Sequence, residues 1–347
     1  MSPLAVDAAD GGGQLLRTAV TLSCLTARPV ELTGVRAARP NPGLRPQHVA
    51  CVEAARALTG AAVTGCEEGA ETLTFAPGDQ PRGDVSVDVG SAGSIALVFD
   101  TVYPLAVALD APSSVAVSGG TDVEWAPTFD WYRRVKLPLL ARSGVAVDAA
   151  LGRRGFYPAG GGRATLTVAP SSLQPLALGE RGDVVATVHA VASDDLADAD
   201  VCARAVRRLR QRLSLPTVEA TTAYADTDSP GFALAVSVVG EGRAGFDALG
   251  ERGVPAEEVA DGDVDDVHGW LDGSGAVDAH LADQLVVPLA LAGGVVRIPR
   301  LTSHVRTSLA LVERFGVDVE RRAGDESVVL AVDQGETVDR VETVNGK

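Results

Sequence analysis

The chain has 347 residues, of which 46% are hydrophobic and 22% are charged. This length exceeds what a single hydrophobic core usually serves, so two domains are expected. No stretch reaches the about 18 uninterrupted apolar residues of a membrane span, and the first residues lack the basic and apolar regions of a secretory signal. The composition therefore excludes a membrane-spanning protein and predicts a cytoplasmic one.

The net charge is −16, and only two of the 30 basic residues are lysine. An acidic, lysine-poor chain is typical of adaptation to high internal salt, because at about 1 M salt the Debye length is only about 3 Å and self-repulsion is screened. We infer a halophilic, archaeal host. Net acidity usually argues against a nucleic-acid partner, but here it reflects the solvent, so local arginine clusters are more informative than the total.

The sequence repeats itself weakly three times. Each copy opens with a short strand ending in Val-Asp, which in the third copy is the segment GAVD at 275–278. An apolar helix, a second strand, a second helix and two further strands follow, so each unit reads β-α-β-α-β-β. Such self-similarity predicts stacked, equivalent subdomains of α/β class. The units are expected at about 4–80, 85–172 and 275–335.

The spacing between the copies is uneven. Units one and two nearly adjoin, whereas residues 183–274 separate units two and three. An amphipathic helical pattern at 198–214, with strand-like segments around it, predicts a smaller α/β domain in this insertion. We therefore expect a large domain formed by 1–182 and 275–340, an inserted small domain at 183–274, and a tail at 341–347.

The first candidate for chemistry is the run DGGGQ at 10–14, between a strand and a helix. Three glycines let the backbone approach a ligand closely, and the N–H groups of a helix start favour an anion. Asp10 could hold a divalent cation near phosphate oxygens, and Arg17 could reach the same phosphate. The run is not one of the common glycine-rich nucleotide motifs, so a plain tight turn is the alternative.

Arginine is concentrated in the loop after the second strand of unit one. The segment GVRAARPNPGLRPQHV, 34–49, carries Arg36, Arg39 and Arg45, with Gln47 at a helix start. Guanidinium groups suit bidentate binding of phosphate. In an acidic protein this local surplus predicts a site for phosphate or for a nucleic-acid backbone.

His304 lies in PRLTSHVRTSLALVERF, 299–315, at the corresponding place in unit three. It follows Thr302 and Ser303, which are both good N-terminal caps for a helix. Because a helix N-terminus disfavours the imidazolium, we expect a neutral imidazole, as nucleophilic attack on phosphorus requires. The alternative is a surface or capping histidine.

Equivalent loops should meet if the units pack side by side. The segment 119–135 occupies in unit two the place that 34–49 and 299–315 occupy in units one and three. Convergence at one edge would bring the triglycine turn, the arginine loop and His304 together. The segment HLADQ, 280–284, opens the first helix of unit three with polar side chains that either cap the helix or bind a ligand.

Taken together, these segments resemble the RNA 3′-terminal phosphate cyclase family. The matching stretches occur in family order from residue 7 to residue 315 and cover the three repeats. They are GGGQLLRTAVTLS, VRAARPNPGLRPQHV, VGSAGSIALVFDTVYP, SGGTDVEWAPTFDWYRRV, RRGFYPAGGGRATLTVAP, HLADQLVVPLALAG and SHVRTSLALVERF. The resemblance implies three β-α-β-α-β-β units with a smaller inserted domain.

The resemblance also implies a reaction. A histidine attacks the α-phosphorus of ATP, which gives a His-AMP phosphoramidate and pyrophosphate. AMP then moves to an RNA 3′-phosphate, and the adjacent 2′-hydroxyl expels AMP to leave a 2′,3′-cyclic phosphate. Mg²⁺ or Mn²⁺ would neutralise the triphosphate. RNA with a 3′-terminal phosphate and ATP are the implied partners, and a homodimer is possible.

Site residues are implied one by one. His304 matches the nucleophile, and Asp10 the metal position. The ATP-binding positions are Asp100, Pro127, His280, Leu281, Ala282, Asp283 and Gln284. The positions near the RNA phosphate are Arg17, Arg36, Arg39 and Gln47.

This sequence departs from the family at three of its positions. Asp10 stands where the family commonly has Glu, Asp100 where many relatives have a nucleotide-contacting Gln, and Ser308 where Asn is common. Two other readings of the fold stay open. One is a non-catalytic, cyclase-like ribosome-assembly factor, which would lack the nucleophile. The other is a small-molecule transferase on similar repeated units, which would need a basic substrate cleft and no covalent nucleotide.

Overall fold

The structure is a computed structural model that describes residues 2–78, 83–324 and 326–338, with only the backbone of residues 217 and 218. It contains four mixed sheets of four strands each, with helices packed against them. The predicted α/β fold class is confirmed. No helix in the described ranges is long and apolar enough to cross a membrane. The predicted tail, 341–347, lies outside those ranges.

Unit one forms a sheet in the order β1-β2-β4-β3, in which β1 and β2 are parallel and the other pairs antiparallel. Helix α2 begins with proline, which suits a first turn, and ends at Gly60, whose φ of +68° closes the helix in a left-handed conformation. The elements are β1 (Leu4–Asp7), α1 (Gly13–Thr26), β2 (Val30–Thr33), α2 (Pro46–Thr59), β3 (Ala62–Thr64) and β4 (Leu73–Ala76).

Unit two repeats this arrangement, with its sheet in the order β5-β6-β8-β7. Its second helix is continuous from Phe129 to Arg142 but contains one π-helical stretch, Tyr132–Lys136. π-Helical turns are rare in proteins, and those that occur are often found at functional sites. The elements are β5 (Val85–Asp88), α3 (Ile95–Val102), β6 (Ser113–Gly119), α4 (Phe129–Trp131), α5 (Leu137–Arg142), β7 (Val147–Arg153) and β8 (Gly162–Val168).

Unit three departs from the prediction at its first strand. The segment GAVD forms only an isolated bridge between Val277 and Arg243. The strand that pairs in parallel with β14 (Gly294–Ile298) is instead β9 (Leu176–Leu178). The prediction was wrong because the Val-Asp pattern repeats locally, whereas the partner of β14 comes from before the insertion. The insertion therefore lies inside unit three, between its first strand and its first helix.

The rest of unit three completes a sheet in the order β9-β14-β16-β15. This order matches the sheets of units one and two position by position, so the three-fold repeat holds once β9 is taken as its first strand. The remaining elements are α8 (Ala279–Gln284), α9 (Val286–Ala292), α10 (Ser303–Arg314), β15 (Glu320–Ala323) and β16 (Val328–Val332).

The insertion contains the fourth sheet, in the order β11-β10-β12-β13. Two helices pack against it, and their buried side chains form a hydrophobic cluster separate from that of the three units. The insertion also buries a carboxyl group, that of Asp263. The elements are β10 (Val185–Ser193), α6 (Val201–Arg212), β11 (Thr217–Ala225), β12 (Phe232–Val239), β13 (Arg243–Leu249) and α7 (Ala256–Asp272).

The parallel pairing of neighbouring strands determines where the candidate loops lie. In unit one, β1 and β2 end at the same edge, so the triglycine turn and the arginine loop leave the sheet side by side. In unit three, the loop after β14 leads into α10, which packs against α1. Buried residues of all three units join one hydrophobic cluster. The loops therefore belong to a single packed body.

Candidate active site

The triglycine turn is a place of close approach. A Cβ on Gly13 would lie 2.3 Å from Nε2 of His48 and 3.2 Å from a terminal nitrogen of Arg17, and one on Gly12 would lie 4.0 Å from Arg39. Only glycine fits at the first of these positions. The sequence prediction that this turn meets the arginine loop is therefore reproduced in the geometry, although what the turn binds stays a prediction.

His48, which the prediction did not single out, is a buried member of this cluster. It lies in the first turn of α2, where Nδ1 accepts the backbone N–H of Arg45 at 3.0 Å. Burial, and then the charges of Arg17, Arg36 and Arg45, lowers its pKa to about 4. His48 is therefore neutral at ordinary pH, and because Nδ1 is an acceptor, the ring proton lies on Nε2.

His304 is 60% exposed and lies in the first turn of α10. Thr302 caps this helix, because its hydroxyl oxygen accepts the backbone N–H of Val305 at 3.1 Å. Nδ1 of His304 lies 3.4 Å from a carboxylate oxygen of Asp283. In the neutral ring the proton therefore belongs on Nδ1, and Nε2 keeps a free lone pair.

The predicted electrostatics of His304 were wrong in sign. We expected the helix N-terminus to disfavour the imidazolium, but the pKa of His304 is raised above its ordinary value. The interaction with Asp283 is the largest cause, and it outweighs desolvation and the charges of Arg17 and Arg39, which lower the pKa. Tertiary contact with α8 thus overrides the local helix effect.

Two hydrogen bonds join the units at this edge. Gln14, in the first turn of α1, donates its side-chain N–H to the hydroxyl of Ser308 on α10 at 3.0 Å. Gln47, on α2, accepts the backbone N–H of Ser94 at the start of α3 at 3.1 Å. Gln47 was predicted to lie near a phosphate, and here its carbonyl oxygen is already used between units one and two.

The buried side chain of Lys136 contacts both α3 and α8. Its Nζ lies 2.6 Å from a carboxylate oxygen of Asp100 and 2.7 Å from the amide oxygen of Gln284. Burial lowers the pKa of Lys136, and the interaction with Asp100 opposes that effect. Asp100 and Gln284, predicted as nucleotide-binding positions far apart in sequence, are thus linked by a lysine that the sequence did not single out.

The residue that caps the segment HLADQ also bonds to the inserted domain. Asp278, not Asp283, caps α8, because one oxygen accepts the N–H groups of His280 and Leu281 at 2.8 Å. Its other oxygen accepts the N–H of Gly245 on β13 at 2.9 Å. Leu281 and Ala282 are buried in the core, whereas the His280 side chain is exposed.

Pro127 precedes a second contact with β13. The backbone N–H of Thr128 donates to a carboxylate oxygen of Asp247 at 2.6 Å. Burial raises the pKa of Asp247 to about 6, although its bond to Thr128 and the charge of His280 lower it. β13 therefore places a carboxyl group between the loop of Pro127 and the start of α8.

Arg36 contacts its own loop and Asp10 is exposed, so their binding roles stay predictions. One guanidinium nitrogen of Arg36 donates to the carbonyls of Asn41 and Gly43 at 2.9 and 3.1 Å, so it holds its own loop. Asp10 is exposed beside the triglycine turn. Within residues 2–78, 83–324 and 326–338, no group of three His, Cys, Asp or Glu side chains could hold a metal ion. One carboxylate suits Mg²⁺ only when substrate phosphates supply further ligands.

The comparisons with known proteins bear on this site directly. A family model described as RNA 3′-terminal phosphate cyclase matches residues 8–320. The chain belongs to the RNA 3′-terminal phosphate cyclase family. The matched range contains the triglycine turn, the arginine loop, the segment HLADQ and His304. The predicted family resemblance is confirmed, and so is the prediction of a ligase-type enzyme of this family.

Relatives of this cyclase family match along nearly their whole length. A protein named RNA 3′-terminal phosphate cyclase from Halobacterium salinarum is 44% identical over 338 residues, which cover 94% of this chain and 98% of that protein. One of the same name from Pseudomonas fluorescens is 40% identical over 328 residues, covering 93% and 96%. The solved enolpyruvyl transferase NikO from Streptomyces tendae gives a TM-score of 0.38 at 13% identity, covering 97% of this chain and 50% of that one.

The site residues predicted from the sequence and the polar residues that the structure brings together are not all the same. The cyclase family implies RNA and ATP as substrates, and the charges of Arg17 and Arg39 both act on the ring of His304. The prediction gave no role to His48, which follows Gln47 at the helix start, nor to the polar residues Lys136 and Asp247 of this region. Lys136 had one available signal: it is the only lysine among residues 1–346.

Proposed function

We propose that this protein converts an RNA 3′-terminal phosphate to a 2′,3′-cyclic phosphodiester, using ATP through a covalent His-AMP intermediate on His304. In the first step Nε2 of His304 forms a bond to the α-phosphorus of ATP, and the bond to the β-phosphate oxygen breaks, which releases pyrophosphate. Family membership supports the overall reaction. The geometry of His304 supports the choice of nucleophile.

The observation that carries this proposal is the pairing of His304 with Asp283. Nδ1 of His304 faces a carboxylate oxygen at 3.4 Å, so in the neutral ring Nε2 has a free lone pair, and the side chain is open to solvent. A neutral imidazole with an accessible nitrogen is what attack on phosphorus requires. Asp283 also stabilises the positive charge that develops on the ring as the P–N bond forms.

The cationic groups are suited to the phosphates. Arg17 and Arg39 both lie close enough to His304 to lower its pKa, so they would face a triphosphate or an RNA phosphate held there. The N–H groups at the start of α1 add a further anion site behind Gly12 and Gly13. Arg36 would act indirectly, by keeping the arginine loop folded.

Two transfers complete the proposed reaction. An oxygen of the RNA 3′-phosphate attacks the AMP phosphorus, the P–N bond to His304 breaks, and an RNA(3′)pp(5′)A intermediate forms. The adjacent 2′-hydroxyl then attacks the terminal RNA phosphorus and expels AMP. The second step works because a phosphate monoester has no good leaving group until it is adenylylated, and it restricts the terminal sugar to ribose.

A divalent cation, Mg²⁺ or Mn²⁺, would be held by Asp10 together with substrate phosphates. It would supply charge neutralisation on the triphosphate. The residues fit such an ion because Asp10 is exposed next to the triglycine turn, and Mg²⁺ commonly uses one carboxylate plus substrate oxygens. We also propose the division into a large domain and an inserted domain at 183–274, which the two hydrophobic clusters support.

The test is a labelling experiment in high salt. The protein is incubated with α-³²P-labelled ATP and Mg²⁺ or Mn²⁺, with and without an RNA bearing a 3′-phosphate. We expect acid-labile label on the protein, and conversion of the RNA end to a phosphatase-resistant form. In His304→Ala, label should fall by at least about 10⁴-fold, as expected for loss of a nucleophile.

His268→Asn is the matched control, because it removes an imidazole from α7 of the inserted domain, outside the candidate site. It should take label. Label that persists in His304→Ala, or a wild-type protein that takes none, would contradict the proposal. The second result would favour the non-catalytic alternative.

A further inference from the structure

Lys136 is unusual for this chain in both its type and its place. It is one of two lysines among 30 basic residues, and it is 1% exposed. An isolated buried ammonium is costly, so its partners must compensate. In a chain where 28 of the 30 basic residues are arginine, this lysine lies where a compact ammonium group, rather than a planar guanidinium, is enclosed.

The partners of Lys136 explain its position. The ammonium lies 2.6 Å from Asp100 and 2.7 Å from Gln284, and 5.0 and 5.5 Å from the ring centroids of Tyr103 and Tyr132. The aromatic faces add cation–π attraction. The lysine belongs to the π-helical stretch Tyr132–Lys136, and it joins unit two to α8 of unit three.

The contact with Gln284 fixes the direction of an amide. An ammonium group only donates, so the atom of Gln284 that faces it must be the oxygen. The NH₂ group then points away from Lys136. Among the described residues, Nε2 of Gln284 donates to no acceptor. It also does not belong to the buried polar atoms that lack a hydrogen-bond partner. The two N–H donors of Gln284 are therefore available to a ligand, and Gln284 follows Asp283, the partner of His304, in α8.

We propose that Lys136 is a positioning residue for the nucleotide: it holds the amide of Gln284 so that its NH₂ group donates to an acceptor of bound ATP. Asp100 serves as the counter-ion of Lys136. This inference rests on the proposed function, and it differs from the implied role of Asp100 as a direct nucleotide contact. The oriented donor costs less ordering on binding than a freely rotating amide would.

The test uses two variants and their combination. Asp100→Leu with Lys136→Met replaces the buried ion pair by apolar side chains, which proteins often tolerate. Gln284→Met removes the amide and leaves the ion pair. For self-adenylylation with labelled ATP, we expect each to raise the KM for ATP by about 10-fold, the effect of one lost hydrogen bond, with the maximal rate within about 3-fold. The combination should raise KM no further.

A structural role alone predicts a different pattern. In that case the Asp100→Leu, Lys136→Met protein would keep the wild-type KM, and Gln284→Met would have its full effect on top of it. Either result overturns the inference. Arg208→Met, which removes a surface ion pair with Asp261 on α7, is the control for loss of a basic residue far from the site and should leave KM unchanged.

Thermal melting of each variant accompanies the kinetics. If the doubly substituted protein does not fold, Gln284→Met alone decides, because an unchanged KM for ATP in that variant overturns the inference. The two proposals can fail separately. A wild-type protein that takes no label overturns both, whereas a labelled wild type with unchanged KM in the variants overturns only the role of Lys136.

Discussion

Two histidines lie in the first turns of corresponding helices, and their surroundings differ in every respect that matters for chemistry. His48, in unit one, is buried, and its pKa is lowered to about 4 by burial and by three arginines. His304, in unit three, is 60% exposed, and its pKa is raised by Asp283. His48 is the third residue of α2 and His304 is the second residue of α10, so the two rings start from adjacent positions of corresponding first turns and meet different neighbours.

The neighbours also select opposite tautomers. Nδ1 of His48 accepts an N–H from Arg45, so the neutral ring carries its proton on Nε2. Nδ1 of His304 faces a carboxylate, so the neutral ring keeps its lone pair on Nε2. Nε2 of His48 can therefore only donate, whereas Nε2 of His304 has the free lone pair that the proposed nucleophile requires. A shared helix start therefore does not decide which ring nitrogen is free. The partner of Nδ1 decides it, and this partner is a backbone N–H for His48 and a carboxylate for His304.

Arg39 is close to both the triglycine turn and His304. Of the predictions that test this comparison, its replacement gives the largest expected loss of rate. It lies near Gly12 and its charge reaches His304. We expect Arg39→Ala to spare self-adenylylation but to slow AMP transfer to an RNA 3′-phosphate by about 100-fold, the usual effect of removing one charged donor. Single-turnover assays of the two steps would show this. Arg322→Ala, at a surface ion pair with Glu320, serves as a control. Loss of the first step in Arg39→Ala would show that Arg39 binds ATP instead.

The second prediction concerns the loss of stability at low pH that is due to His48. Its folded pKa of about 4 lies below its ordinary value of 6.5, so the unfolded chain takes up the proton first as the pH falls. The stabilisation is present above pH 6.5 and is lost between 6.5 and 4. Between pH 7.5 and 5, His48→Asn should lose about 2 kcal/mol less of its free energy of unfolding than the wild type.

Denaturant unfolding at constant salt would measure this difference. His189, whose pKa is also lowered to about 4 by burial, provides a parallel, because His189→Asn should remove a similar share of the acid sensitivity. Stability curves that run parallel for the wild type and His48→Asn across this pH range would show that His48 is not held neutral by the fold.

Asp283→Asn gives the smallest expected change and tests the other histidine. Because Asp283 raises the pKa of His304, the neutral fraction of the wild type grows only as the pH rises past that raised value. In Asp283→Asn the pKa falls, so the rise in self-adenylylation rate with pH should move to lower pH. The plateau rate should drop by about 5-fold, in keeping with a pair whose histidine is largely exposed. An unshifted pH profile would remove Asp283 from this role.

Much of the architecture followed from local patterns. Alternating and helical periodicities predicted three β-α-β-α-β-β units and the insertion, because each element buries one face that the sequence marks. The first strand of unit three was misplaced, since Leu176–Leu178 and Gly294–Ile298 pair across the insertion. No local pattern records a partner that lies on the far side of another domain.

The candidate site divides in the same way. The sequence alone determined the family, the triglycine turn, the arginine loop and His304 as the nucleophile to test, because these depend on residue type and order. The tertiary structure decided which nitrogen of His304 is free, that His48 is neutral, and that Lys136 joins Asp100 to Gln284. Protonation and side-chain orientation depend on charges and hydrogen-bond partners within a few ångströms, and those come together only when distant segments pack.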